Sequence, residues 1–264
     1  MKNRPIGIFD SGVGGLTVLK EVEKLLPFED IIYFGDTARV PYGNKSKSTI
    51  IKFSRENASF LQKKKVKMIV VACNTSSALA LENLKKNFNI PILGVIEAGV
   101  RKALMLTAKK RIGVIGTKST IKSNSYQKFI AKKDKKIKVY SKSCSLFVPL
   151  VEEGVLNGKI VKETIKMYLK GLKDRSIDVI ILGCTHYPIL KQQIASYLKR
   201  VVVVDSAKEV ADYTKSILKS KNLLRAKRKK AKVEFYLSDE PKEFARLAKL
   251  FLKRKISNPR IANV

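Results

Sequence analysis

At 264 residues with 45% hydrophobic content, the chain can bury a sizeable core as one large domain or two smaller ones, which excludes a disordered protein. No apolar run approaches the roughly 18–20 residues of a transmembrane helix and no signal-peptide core follows residues 1–4, so no membrane partner and a cytoplasmic location are expected. Three widely separated cysteines exclude a disulfide framework and a CxxC zinc site, while a net charge of +33 raises the question of an acidic partner such as nucleic acid.

Taken along the chain, hydrophobic spacing predicts a strand at 6–9, a helix at 16–26, a strand at 31–34 and a helix at 47–63. A strand at 67–72, a helix at 76–86, a strand at 92–94 and a helix at 98–107 follow. Strands at 111–115 and 137–140 precede a long helix at 151–172, a strand at 178–182, a helix at 187–198, a strand at 201–204 and a helix at 207–219. The chain then crosses the surface through a basic run at 225–232 to a strand at 233–237 and a last helix, and 253–264 reads as a loosely held tail. Short β-branched runs alternating with amphipathic stretches are the pattern of a parallel sheet with crossover helices, an α/β fold. Lysines are spread along the whole chain, mostly at element ends and without interleaved aromatics, which reads as solvated surface. Nucleic acid is left as a secondary property of that surface, with an arm at 225–232 as the alternative reading of the run.

The two halves echo one another. Ile6-Gly7-Ile8-Phe9-Asp10-Ser11 resembles Ile112-Gly113-Val114-Ile115-Gly116-Thr117, and the apolar run ending on Cys73-Asn74-Thr75 matches the one ending on Cys184-Thr185. Duplication of an α/β unit follows, with two similar halves facing each other. The expected division is 1–97 plus 208–264 as the first domain and 98–207 as the second.

In open parallel sheets, ligands bind beyond the carboxyl ends of the strands, and the polar residues of this chain collect there. Asp10-Ser11, Cys73-Asn74-Thr75 and Cys184-Thr185-His186 each end an apolar run and precede a helix whose first N–H groups suit a small anion such as a carboxylate. Helix capping alone accounts for the hydroxyl and amide side chains, but it requires no thiol at the matching point of both halves. The glycines at 12, 14 and 15 fit neither the GxxxxGK[ST] nor the GxGxxG nucleotide spacing, and Asp10 stands where a phosphate would sit. His186 is the only histidine, so a His-rich metal site is excluded, and a Cys–His hydrolase pair would need Cys184 and His186 to meet across two residues. Two thiols on facing halves instead suit a reaction needing a base on one face of a carbon and an acid on the other: stereoinversion at the α-carbon of an amino acid.

The segments Asp10-Ser11-Gly12-Val13-Gly14-Gly15-Leu16-Thr17, Gly35-Asp36-Thr37-Ala38-Arg39-Val40-Pro41-Tyr42-Gly43, Ala72-Cys73-Asn74-Thr75 and Gly183-Cys184-Thr185-His186-Tyr187-Pro188 resemble the bacterial glutamate racemase family. The resemblance implies a pseudosymmetric two-domain α/β fold with the active site in the cleft between the domains. It implies interconversion of L- and D-glutamate without pyridoxal phosphate, metal or nucleotide, supplying D-glutamate for peptidoglycan. It makes Cys73 and Cys184 the acid/base pair, with Cys73 facing the proton of the D-isomer and Cys184 that of the L-isomer. Asp10 and His186 stand beside the two thiols, and Asp10, Ser11, Pro41, Tyr42, Gly43, Asn74, Thr75, Thr185 and His186 match substrate-binding positions. One of Glu152 and Glu153 matches a further acid near the second thiol. Cys144-Ser145 departs from the Cys-Pro of many relatives, and Cys144 is taken as structural. A homodimer is expected, as for many soluble enzymes. The competing readings are an aspartate racemase with the same thiols and a different pocket, and a basic nucleic-acid-binding protein on a degenerate enzyme scaffold.

Overall fold

In the computed structural model, which describes residues 1–226, 230–256 and 259–264, two parallel sheets are flanked by helices. The chain begins with β1 (Ile6–Asp10), α1 (Leu16–Leu25), β2 (Ile31–Gly35), α2 (Lys47–Lys63), β3 (Met68–Val71), α3 (Asn74–Leu79), α4 (Leu81–Asn87) and β4 (Ile92–Gly94). It continues through α5 (Val95–Leu106), β5 (Arg111–Gly116), α6 (Lys118–Lys122), α7 (Ser125–Lys133), β6 (Lys138–Ser143), α8 (Phe147–Glu152) and α9 (Lys159–Asp174). Then come β7 (Val179–Gly183), α10 (Lys191–Leu198), β8 (Val202–Val204), α11 (Ala207–Ser220), β9 (Val233–Leu237), α12 (Pro241–Leu252) and β10 (Arg260–Ile261). One sheet has the order β10-β9-β2-β1-β3-β4 and the other β6-β5-β7-β8.

The arrangement β2-β1-β3-β4 recurs as β6-β5-β7-β8, so the sequence echo is a topological repeat. Every residue of β1 and of β7 is buried, as expected of central parallel strands covered by helices on both faces. Register then fixes the chemistry. Phe9 pairs with Val71 and Ile115 with Leu182, so one strand end delivers Cys73 beside Ser11 and the other delivers Cys184 beside Thr117. No described helix is long and apolar enough to cross a membrane.

Four features differ from the expected elements. The helix expected at 151–172 is two, because Gly154 (φ 72°) and Gly158 (φ 90°) take left-handed conformations that end α8 and precede α9. The helix expected at 76–86 breaks at Ala80 into α3 and α4. The segment 118–133 carries α6 and α7, hidden in the sequence because only Tyr126 and Ile130 of the lysine-rich α7 are buried, one turn apart. The 253–264 tail adds β10 to the sheet edge, with Arg260 opposite Tyr236 and Ile261 opposite Leu237; residues 257–258 lie outside the described residues.

The basic run at 225–232 is held at both ends. Arg225 donates its backbone N–H to Glu29 and its guanidinium to Asp30 at 2.8 Å, and Lys232 donates its N–H to Asp30; residues 227–229, where an arm was considered, lie outside the described residues. Beneath it, Lys67 is fully buried and donates to Glu29 and, at 2.8 Å each, to the carbonyls of Lys2 and Leu223. All three ammonium protons are thereby used, tying the N-terminus, the start of β2 and the connection after α11 to the foot of β3. Burial holds the Lys67 ammonium below its ordinary range, against the raising influence of Glu29. Lys67→Met leaves Glu29 buried without its ammonium partner, so a loss of about 3–5 kcal/mol is expected in denaturant unfolding, and a loss under about 1 kcal/mol would contradict this role.

Candidate active site

The carboxyl ends of β1, β3, β5 and β7 converge on a cavity of about 300 Å3. Both Cys73 and Cys184 line it, each nearly buried, from opposite sheets. Ser11, Pro41, Tyr42, Gly43, Asn74, Thr75, Thr185 and His186 also reach its wall, as does Glu152. Larger surface concavities of about 680 and 700 Å3 contain neither thiol.

On the first side, the Cys73 thiol donates to Ser11 Oγ at 3.8 Å. Burial, reinforced by the nearby Asp10 carboxylate, pushes this thiol up to about 11, so it holds its proton at neutral pH. Asp10 is not on the cavity wall. It lies behind Ser11 and Gly12, wholly buried, with Oδ2 accepting from Gly12 N at 3.1 Å and Oδ1 without a hydrogen-bond partner. Burial raises its carboxyl above the usual range against the lowering pull of His186 and backbone N–H groups. Asp10 thus stands near the first thiol, where its charge acts on Cys73.

On the second side, His186 joins what the strand end brings together. Its Nδ1 lies 3.9 Å from Cys184 Sγ and its Nε2 lies 2.9 Å from Glu152 Oε1. Thiol and imidazole, two residues apart, do meet. The choice between the two glutamates is also resolved: Glu152 reaches His186 and lines the cavity, whereas Glu153 is exposed outside it. Burial pulls the imidazole down, but the Cys184 thiol and Glu152 outweigh it and raise His186 to about 10.

A raised imidazole has a testable consequence for stability. The contribution is complete below the ordinary value of 6.5 and is lost as pH rises through about 10. Thermal midpoints are expected to fall across that alkaline window, and Glu152→Gln to flatten the fall. An unchanged slope in the variant would contradict the coupling.

The loop after β2 carries the third wall. Asp36, fully buried, accepts from Arg39 Nε at 2.7 Å, from Ser238 Oγ at 3.0 Å and from the Tyr42 hydroxyl, which also accepts from Asn57 Nδ2 at 3.1 Å. Burial and the adjacent Asp36 charge hold the Tyr42 phenol well above its ordinary value, so it stays a neutral donor. This network presents Pro41-Tyr42-Gly43 to the cavity, with Gly43 so close that a Cβ there would stand 2.7 Å from Thr117. Thr117 in turn lies 3.0 Å from Thr75, hydroxyl to hydroxyl, bridging the two sheets. Sequence reading missed Thr117, Asn44 and Ser145 in the lining and Asp36 and Asn57 behind it. For Thr117 the signal was present, since it occupies the place of Ser11 in the internal echo.

Cys144 is fully buried away from the cavity, its thiol donating to Lys142 O at 3.7 Å, with burial holding it well above the ordinary thiol range. Among the described residues, no group of His, Cys, Asp and Glu is arranged to hold a metal ion.

The family model described as Asp/Glu/Hydantoin racemase matches residues 6–214. The chain belongs to this racemase family. Within it, the chain is 49% identical over 258 residues to the glutamate racemase of Aquifex aeolicus, covering 98% of this chain and 97% of that one. It is 48% identical over 256 residues to the glutamate racemase of Geobacter metallireducens, covering 97% and 95%. Among solved structures it is similar to the glutamate racemase of Francisella tularensis in complex with D-glutamate, with a TM-score of 0.94, 43% identity and coverage of 100% and 98%. The racemase family accordingly shares the whole architecture, and the α/β fold of parallel sheets flanked by helices agrees with the sequence expectation.

Proposed function

We propose that the chain interconverts L- and D-glutamate by two-cysteine proton transfer, with no pyridoxal phosphate, metal or nucleotide. The observation that carries this reading is one cavity lined by two thiols from equivalent strand ends of a repeated α/β unit. The near-full-length relatives named glutamate racemase support glutamate as the substrate. In the L-to-D direction, the Cys184 thiolate takes the α-proton and becomes a thiol, leaving a carbanion. Cys73 then gives its proton to the opposite face and becomes a thiolate. The enantiomer departs with atoms and charge balanced, and the reverse reaction or exchange with solvent restores the starting pattern. A Cys73 thiol that stays protonated at neutral pH and a Cys184 sulfur beside an imidazolium are poised for this direction. Asn74, Thr75 and Thr185, with Ser11, Tyr42 and Gly43, supply hydrogen-bonding groups for the two substrate carboxylates, and His186 with Glu152 supports Cys184.

The two lobes on either side of the cavity are 1–97 with 208–264, and 98–207. The product serves peptidoglycan synthesis in the cytoplasm, and the enzyme works as a homodimer. A panel of free amino acids tests the substrate: turnover of glutamate with little or none of aspartate is expected. Turnover of aspartate without glutamate would replace the assignment.

A further inference from the structure

The lysines that looked dispersed along the sequence are gathered by the fold. Two surface concavities of about 700 and 580 Å3 share Lys47, Leu79 and Ser123 and so form one continuous groove between the two sheets' helices. Lys45 and Lys47, leading into α2, stand on one wall; Lys118 and Lys122 of α6 and Lys128 and Lys132 of α7 stand on the other. Ser119 Oγ donates to Lys45 O at 3.0 Å, which fixes the two walls against each other. The acids that line it are Glu82, which faces Lys85 at 3.7 Å, and Glu97, which is paired with Arg101 at 2.8 Å. Among the described residues, no carboxylate pairs with Lys47, Lys118, Lys122, Lys128 or Lys132.

We propose that this interlobe groove binds the phosphate backbone of duplex nucleic acid without sequence preference. Unpaired lysine ammoniums on the two rims match one phosphate strand of a duplex that lies over the groove, where each neutralised phosphate releases a counterion. The lining has no arginine to make bidentate contacts with bases, so the groove reads charge and not sequence. A lipid surface fits it poorly: the cationic groups are in a concavity, and the exposed large apolar residues, such as Met105, Leu146 and Ile160, are not in its lining. A small phosphorylated ligand fits it poorly as well, because five of the six wall lysines are exposed and none encloses a pocket.

The test is fluorescence anisotropy of a labelled 20-base-pair duplex titrated across a salt series. The wild-type chain is compared with a variant carrying Lys118→Ala, Lys122→Ala, Lys128→Ala and Lys132→Ala. A control of equal charge carries Lys159→Ala, Lys162→Ala, Lys166→Ala and Lys170→Ala on α9, outside the groove. The groove variant is expected to bind at least about a hundredfold more weakly near 0.1 M salt, with the slope of log K against log salt reduced by about 3–4. The α9 control should stay within a few-fold of wild type, and both variants should keep the wild-type circular dichroism and thermal midpoint, which shows that they are folded whatever the fate of the proposed activity. Equal losses in both variants would mean diffuse charge alone and overturn the proposal. So would absent duplex binding by the wild type at low salt, or tighter binding of anionic vesicles than of duplex through the same lysines.

Discussion

Cys73→Ser and Cys184→Ser are each expected to lower racemisation by roughly 10²–10⁴-fold while leaving the fold intact, because positioned acid–base groups supply effects of that order and an alcohol is a far poorer acid than a thiol. Both sulfurs are nearly buried in the same cavity, and replacing sulfur by oxygen creates no steric conflict there. The two variants differ in what they retain. With Cys184 intact, the Cys73 variant still removes the α-proton of L-glutamate and returns it to the same face, so in deuterium oxide it exchanges the α-hydrogen without inversion. The Cys184 variant does the same with D-glutamate. Cys144→Ser, a change at a buried thiol outside the cavity lining, is expected to leave turnover near normal. Near-normal racemisation by either cavity variant would remove the two-base mechanism.

Gly14→Ala is expected to lower kcat by about a hundredfold, the scale of a 1 Å misplacement at a reacting group. A Cβ at this position would stand 2.2 Å from Thr185 Oγ1 and 2.7 Å from His186 Nδ1, across the junction between the two sheets. Something must shift, and what shifts is the pair of residues that follows Cys184. The imidazole loses its 3.9 Å approach to Sγ or its 2.9 Å contact with Glu152. Since Thr17 Oγ1 also reaches Thr185 O at 3.5 Å, the N-terminal glycine turn is a close-packing surface for the residues after β7 and not a phosphate cradle. Steady-state kinetics with circular dichroism confirming the fold checks this; a kcat within twofold of wild type would show that the junction has room to yield.

The sequence carried the strands that position the thiols because they are central, buried and rich in β-branched residues, and it carried the thiols because the echo between halves repeated them. It did not carry α6 and α7, two short helices in which lysines are interleaved with few buried apolar residues, so that no helical period shows. Nor did it carry the break between α8 and α9, which depends on glycine conformations with no periodic signature. The Cys184–His186–Glu152 contact joins a strand end to the end of a helix more than thirty residues away and exists only through tertiary packing. The full burial of Asp10 has the same origin: residue type and motif placed it near the site, and tertiary packing encloses it with Oδ2 on Gly12 N. The lysine groove was illegible for the converse reason, since its walls come from element ends far apart in the chain.

The central claim is tested most directly by following the circular dichroism of L-glutamate with the reduced protein in deuterium oxide, with chelator present and no cofactor added, and weighing the recovered amino acid. The account predicts loss of optical activity to the racemate with one α-deuterium in the inverted product. A persistent signal with folded, reduced protein, or inversion that retains the α-proton, would contradict it.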